Sequence, residues 1–287
     1  MILSEKHKVP ILKKTIRLQE YGVGIFKTLP TKSGLKKAIK KQLVFVNGKI
    51  ASTALYIKGG EIIELFKLDN NLEKKQFIFP LEVLFEDDYL AIVYKPAGIL
   101  VSGNSFATID NALTQNLTKS TKFDTVRPRP VHRLDYPTSG LLLVGKTNSC
   151  ILALNKLFEN KEIQKTYHAI SIGKMERNGE INLPVENKEA FTEYEVLQSV
   201  FSKRFGSLNL VKLQPKTGRK HQLRRHLFSI ENPILGDQDY FIENLILKGK
   251  GLYLHASHLE FTHPFTKEKI SITKELPKKF RKIFPSL

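Results

Sequence analysis

Residues 127–144, Arg-Pro-Arg-Pro-Val-His-Arg-Leu-Asp-Tyr-Pro-Thr-Ser-Gly-Leu-Leu-Leu-Val, pass from a charged stretch through Tyr-Pro and Ser-Gly turn chemistry into an apolar run. A chain carrying this segment must place Leu141 to Val144 in a strand and leave the charges at its entrance. Asp135 is therefore expected on a loop beside fixed positive charge. Tyr89 to Tyr94 reads as a buried strand that ends at Lys95-Pro96-Ala97-Gly98, where proline and glycine force a turn. Tyr167–Ile172 and Leu208–Leu213 alternate with period two, as strands do. Ile109, Leu113 and Leu117 mark one helix; Ile151, Leu152, Leu154, Leu157 and Phe158 mark another, capped by Asn148 or Ser149. Leu276 to Phe284 is basic and amphipathic and is expected to pack as a terminal helix. Strands interleave irregularly with helices, which points to a mixed sheet and not to a repeating βαβ unit.

The N-terminal part has a different character. Within Thr31–Lys41, Leu35, Ala38 and Ile39 share a helical stripe, and Lys32, Lys36, Lys37, Lys40 and Lys41 fall largely off it. Leu43–Val46, Asn47-Gly48 and Lys49-Ile50 form the pattern of a strand entering a tight hairpin, and Glu61–Phe66 follows Gly59-Gly60 as a second strand. This order of basic helix, strand, turn and closing strand resembles a degenerate S4 RNA-binding domain, a small α+β fold. Lys67 to Gln76 is polar and reads as a linker. The expected division is a basic domain over 1–70, a linker over 71–79 and a second domain over 80–287.

Forty-six Lys+Arg against 28 Asp+Glu give a net charge of +18, which favours a polyanionic partner, nucleic acid ahead of an acidic membrane surface. The charge is concentrated, with 16 Lys+Arg and 6 Asp+Glu in residues 1–80. A single cysteine, Cys150, excludes an intrachain disulfide framework and any multi-cysteine zinc site, and fits a reducing compartment. Met1 to Leu12 lacks the apolar core of a signal peptide, and no stretch approaches the roughly 20 apolar residues of a membrane span. A cytoplasmic location, no membrane partner and a monomer are the expectations.

Three clusters could carry chemistry. Asp135, kept anionic by its arginine neighbour, could act as nucleophile, base or electrostatic stabiliser, or could simply cap a turn while paired with Arg133. Ser139 lacks the Gly-x-Ser-x-Gly elbow of a serine nucleophile. Thr217 to His226 opens with a glycine turn, closes as an incipient helix and carries four Arg or Lys and two His, which suggests phosphate binding. His255, His258 and His263 lack a His-Glu-x-x-His helix or cysteine partners, so hydrogen-bonded structural roles are expected of them and no metal.

Taken in order, His132-Arg133-Leu134-Asp135-x-x-Thr138-Ser139-Gly140-Leu141-Leu142, Lys165-Thr166-Tyr167-His168-Ala169, Thr217-Gly218-Arg219-x-His221-Gln222-Leu223-Arg224-x-His226-Leu227, Pro233-Ile234-Leu235-Gly236-Asp237 and Leu254-His255-Ala256 resemble the RluA-type pseudouridine synthase family. Lys95 to Val101 matches a sixth motif, so the resemblance covers roughly residues 80–270. It implies an α+β fold with a mixed, mostly antiparallel central sheet and flanking helices. The implied activity is the cofactor-independent isomerisation of uridine in structured RNA, an isomerase reaction in which Asp135 is the catalytic carboxylate. Tyr167 would lie against the uracil ring and help with the proton leaving C5, and Arg224 would hold Asp135 by an ion pair. Extrusion of a uridine from structured RNA leaves a gap, which Arg133 would fill or grip. Lys95, Arg129, Arg219 and the helix carrying Lys32, Lys36, Lys37 and Lys40 would supply phosphate affinity. The expected partner is RNA, 23S-type ribosomal RNA ahead of transfer RNA. Lys220 and Arg225 stand where small or apolar residues are more usual, and Glu231 and Phe241 stand where glycine is expected. A non-catalytic RNA-binding protein could share this scaffold.

Overall fold

The computed structural model describes residues 1–67 and 77–285. The chain divides into two compact units, residues 1–75 and 76–287. Of the expected linker, residues 71–76 lie outside the described residues. Phe77 and Phe79 stack at 5.5 Å, and their carbonyls accept hydrogen bonds from Gln115 and Asn116 of the second unit.

The first unit comprises β1 (Ile2–Lys8), β2 (Ile16–Arg17), α1 (Leu18–Tyr21), α2 (Lys32–Lys40), β3 (Val44–Val46), β4 (Lys49–Ile50), β5 (Tyr56–Ile57) and β6 (Ile62–Lys67). A four-stranded sheet runs in the order β1-β6-β3-β4, and β2 pairs with β5. The α2 helix begins where Thr31 accepts a hydrogen bond from the Gly34 amide, 3.1 Å away. Its Leu35, Ala38 and Ile39 are buried with Val44, Ile57 and Ile63, while Lys32, Lys36, Lys37 and Lys40 are exposed. Asn47 and Gly48 both have positive φ, as a two-residue hairpin turn requires. The N-terminal segment, expected only to lack a signal core, forms β1 at the sheet edge. Its interspersed charges suit a strand with one exposed face.

The second unit contains β7 (Val83–Glu86), β8 (Leu90–Lys95), α3 (Ile109–Asn116), β9 (Thr125–Pro130), β10 (Ser139–Thr147), α4 (Asn148–Glu159), β11 (Gln164–Ile172), β12 (Asn178–Ile181), β13 (Thr192–Ser202), β14 (Gly206–Pro215), α5 (Gln222–Ser229), β15 (Leu254–Thr262), β16 (Lys269–Thr273) and α6 (Lys278–Arg281). Its mixed sheet follows β12-β13-β14-β11-β15-β10-β8-β7, with β16 beside β15 and β9 beside β10. All its strand pairs are antiparallel except β10 with β15.

The β10 strand is buried along its whole length because both faces of the sheet are covered there. Leu142 and Val144 pack with Ile109 and Leu113 of α3, and Leu141 and Leu143 pack with Cys150 and Leu154 of α4. This explains an apolar run without alternation. Each such side chain contributes about 1.5–3 kcal/mol by burial. The α4 cap is Thr147, one residue before the expected pair, and its hydroxyl accepts from the Cys150 amide at 3.1 Å. The terminal helix is shorter than expected: Pro277 opens it and only Lys278–Arg281 are helical, while Phe280 and Phe284 are buried. Among the described residues, no helix is long and apolar enough to cross a membrane.

The parallel contact brings Ser139 opposite His255 and Gly140 opposite Ala256. Gly140 has φ +133°, and a Cβ there would lie 2.2 Å from the Ala256 carbonyl oxygen. Only glycine lets the strand leaving the Asp135 loop come this close to β15. Gly140→Ala is expected to destabilise the second unit by at least about 2 kcal/mol. Urea denaturation checks this, and an unchanged midpoint would contradict it.

Candidate active site

The loop from β9 to β10 carries Asp135 and is tied down at three points. His132 is partly buried and its Nε2 accepts the Leu143 amide of β10 at 2.9 Å. Burial pushes the His132 pKa down to about 3, so the ring is neutral, as an acceptor must be. The Asp135 carbonyl accepts the Thr138 amide at 3.0 Å, closing the turn that contains Tyr136 and Pro137. Lys95, at the end of β8, donates from Nζ to the carbonyls of Thr138 at 2.7 Å, Pro96 at 3.1 Å and Tyr136 at 3.3 Å. Lys95 is fully buried, which corrects the expectation of a phosphate contact. The ammonium braces the loop from beneath, because the turn at Pro96 to Gly98 docks against Tyr136 and closes over it.

The Thr217–His226 cluster is organised by Gln222. Its Oε1 accepts from the Thr217 hydroxyl at 2.7 Å and the Arg219 amide at 3.0 Å; its Nε2 donates to Phe191 O and Thr192 Oγ1, each at 3.0 Å. This sets α5 so that Arg224 points inward. Arg224 donates from Nε to Asp237 Oδ2 at 2.7 Å and from Nη2 to Asp237 Oδ1 and Asp239 Oδ2, both at 2.6 Å. Burial works against its charge, but the hydrogen bonds and charge of Asp237 outweigh it and move the pKa upward. The remaining nitrogen, Nη1, lies 3.9 Å from Asp135 Oδ2. The expected ion pair with Asp135 is thus a long contact, and the tight partner is Asp237. Glu231, at one of the expected glycine positions, has φ +61°.

Asp135 and Arg224 face a cleft of about 970 Å³ that Tyr167, Arg133, Lys165 and Arg219 also line. The Asp135 side chain is 15% exposed. Tyr167 sits on β11 opposite Leu213 and Ala256, partly buried between two parts of the core. Burial, with a further push from Asp135, raises its pKa, so the phenol keeps its proton at neutral pH. Lys165 lies two residues earlier on the same strand face, and burial lowers its pKa. Arg133 is exposed at the cleft. Arg219 is exposed too and donates to Glu189 O at 2.9 Å. Arg129 is exposed on β9 and does not line the cleft. Lys32, Lys36, Lys37 and Lys40 belong to the first unit. The cleft wall carries seven Lys or Arg against Asp135 and Glu159, which suits an anionic occupant. His255 and His258 hydrogen-bond through Nδ1 to Ser139 and Thr273, and His263 Nδ1 accepts from the amides of Phe265 and Thr266.

Three residues around the site carry no mark of their role in the sequence, Tyr240 among them, whose ring lies 5.0 Å from the Arg224 guanidinium. Asp237 was visible only as the end of Pro-Ile-Leu-Gly-Asp, Lys165 only as the start of Lys-Thr-Tyr, and Tyr240 only as the neighbour of Phe241.

A family model described as RNA pseudouridylate synthase matches residues 89–229. An uncharacterized RNA pseudouridine synthase of Aquifex aeolicus is 31% identical over 284 residues, covering 88% of each chain. The chain belongs to the RluA-type family of RNA pseudouridine synthases. The synthase is also 31% identical to the ribosomal large subunit pseudouridine synthase D of Nitrosomonas europaea, over 86% of this chain and 77% of the relative. It is 33% identical to the tRNA pseudouridine synthase C of Vibrio vulnificus, over 71% of this chain and 94% of the relative. Its structure matches that of human RNA pseudouridylate synthase domain containing 4 with a TM-score of 0.58 and 27% identity, over 69% of this chain and 90% of the other.

The synthase holds Lys95 against the cost of burial, and its stability should show it. Burial lowers the Lys95 pKa from 10.5 to about 8. Below about pH 8 both native and unfolded states carry the proton, and between about 8 and 10.5 the unfolded state binds more. This group therefore makes stability rise with pH across that window. Lys95→Met is expected to make the rise in urea denaturation measured from pH 8 to 10 shallower, leaving the part contributed by the partly buried Lys279 and Lys165. A slope equal to that of the wild type would contradict the burial of this charge.

Proposed function

We propose that this synthase isomerises a uridine of large-subunit ribosomal RNA in the cytoplasm, with Asp135 as the reacting carboxylate. The observation that carries the assignment of Asp135 is its place in the cleft, 15% exposed and 3.9 Å from an arginine whose other contacts are fixed. The second cleft carboxylate, Glu159, is exposed and pairs with no arginine among the described residues. Ribosomal RNA is favoured by the extent of the matches. The relatives named large-subunit synthases C and D align over 86–91% of this chain, more than residues 76–287 alone can supply. Those named tRNA synthase C align over 67–71%.

The reaction breaks the C1′–N1 bond, turns the uracil while it is held, and joins C5 to C1′; the C5 proton passes to water and N1 takes one up, so that the product is an isomer of the substrate. The target uridine must leave its stack to reach Asp135, and Arg133 stands at the cleft to occupy the gap or grip the backbone. The Asp135 anion then either attacks the electron-poor C1′ or removes a sugar proton to give a glycal; both routes use one carboxylate and return it unchanged. No second, water-activating carboxylate is needed, because the base is not lost to water. Tyr167, protonated, lies against the uracil ring and orients it. Arg219 and the other cleft cations neutralise phosphates, and Arg129 extends that contact beyond the cleft. The basic face of α2, in an S4-like unit, adds sequence-independent grip. One chain carries all of these groups, and the synthase acts as a monomer.

RNA labelled with tritium at uracil C5 tests this reading. The wild-type protein is expected to release tritium from ribosomal RNA of cells lacking this gene, and Asp135→Asn to release none while keeping its RNA affinity. Release by Asp135→Asn at the wild-type rate would overturn the assignment.

A further inference from the structure

Arg224 Nη1 approaches Oδ2 of Asp135, and a separate chain of contacts leads to Oδ1. Arg225 is anchored by Glu186, with Nη2 to Oε1 at 3.0 Å, and its Nε donates to the Tyr240 hydroxyl oxygen at 2.9 Å. An arginine nitrogen can only donate, so that oxygen accepts and the hydroxyl proton is free to point elsewhere. It faces His221 Nδ1 at 3.2 Å. When Nδ1 accepts that proton, the neutral imidazole carries its own hydrogen on the other nitrogen, Nε2. Nε2 lies 3.9 Å from Asp135 Oδ1.

The ring is held in place by more than this bond. Tyr240 meets it edge-on, with centroids 5.8 Å apart and planes at 85°, and the Arg224 guanidinium lies 5.0 Å from the same tyrosine ring. The His221 backbone has φ +55°, a left-handed conformation uncommon outside glycine and one that His, like Asn and Asp, adopts more readily than other side chains. The charged groups around the imidazole are Asp135, Arg224, Lys220 and Asp239; burial lowers its pKa and Asp135 opposes that, with a net downward shift. A neutral ring at neutral pH follows.

We propose that His221 is a positioning residue for Asp135: Arg225 and Tyr240 hold its imidazole as the Nε2–H tautomer, so that this N–H aligns Oδ1 while Arg224 Nη1 aligns Oδ2. Both contacts are 3.9 Å and neither is yet a hydrogen bond. They shorten when RNA fills the cleft, as hydrogen bonds in unliganded catalytic sites commonly do. Two donors, one to each oxygen, fix the plane of the carboxylate and so the direction from which it meets C1′. The anchor is a property of this chain, since Arg225 stands where small or apolar residues are more usual. The inference rests on the reading of Asp135 as the reacting carboxylate.

Two measurements test it. Long-range proton–nitrogen correlation spectra of ¹⁵N-labelled protein, without RNA, report the tautomer directly. The wild type is expected to show His221 as Nε2–H, and Tyr240→Phe, which keeps the ring but loses the hydroxyl, to shift it toward Nδ1–H. In single-turnover isomerisation, Tyr240→Phe is expected to slow the rate about tenfold and His221→Gly about a hundredfold, with RNA affinity unchanged. Glycine tolerates the left-handed backbone, so the thermal melt of His221→Gly should stay near that of the wild type. His221→Gln, whose amide N–H can replace Nε2–H, should restore most of the rate. An Nδ1–H tautomer in the wild type would overturn the proposal. So would a wild-type rate in His221→Gly alongside an inactive Asp135→Asn. Turnover retained in Asp135→Asn would instead overturn the function assigned to Asp135, and the positioning role with it.

Discussion

The site depends on one buried ion pair. Arg224 and Asp237 are both almost wholly removed from water, and such a pair offsets its desolvation only if nearly every donor and acceptor is used. Here they are. Asp237 receives two hydrogen bonds from the guanidinium and two more from the amides of Asp239 and Tyr240. Asp239 takes a further guanidinium hydrogen, and the Tyr240 ring lies alongside. The arginine is thereby locked in one orientation with Nη1 directed at Asp135. The pair contributes geometry more than stability, and it keeps positive charge at a fixed distance from the carboxylate.

The opposite wall of the cleft is built to the same end by different means. The Asp135 loop enters β10, a strand buried on both faces, and the close parallel approach of Gly140 to Ala256 fixes where that strand begins. His132 and Lys95 then hold the loop to β10 and β8 through backbone atoms. Lys95 places a buried charge against three carbonyls, which holds the loop from within the protein. A carboxylate on a rigid loop and an arginine on a locked helix meet across a basic cleft, an arrangement suited to gripping phosphates while one sugar is brought to the anion.

What was legible in the sequence is what local periodicity and local chemistry encode. Leu35, Ala38 and Ile39 mark a helical stripe within one segment, Asn47-Gly48 a hairpin, and residues 131–144 a loop feeding a strand; each is found as expected, whereas Arg127 to Pro130, read as a charged stretch, belong to β9. The elements that were missed lack such marks. Charges interrupt β1, and β15 was read as a histidine cluster because His255, Ser257 and His258 lie within its alternation. Site residues divide in the same way. Asp135, Tyr167 and Arg224 sit in dense motifs, and the structure brings all three to one cleft. Lys95 was misread because a lysine after a strand resembles a surface charge; its three carbonyl partners include two some 41 and 43 residues away. Tyr240 and Glu186 reach the site only through the fold, so no spacing within their own segments announces them, and Asp237, though it closes a motif, shows its arginine partner only in the fold.

The central claim is that the lock on Arg224 sets the reactivity of Asp135. It is tested most directly by the single-turnover rate of Asp237→Asn at saturating RNA, with circular dichroism confirming a folded protein. Asparagine keeps the shape of Asp237 but removes its charge and one strong acceptor. The account predicts a loss of about a hundredfold in rate with RNA affinity retained. A folded Asp237→Asn protein that isomerises at the wild-type rate would contradict it.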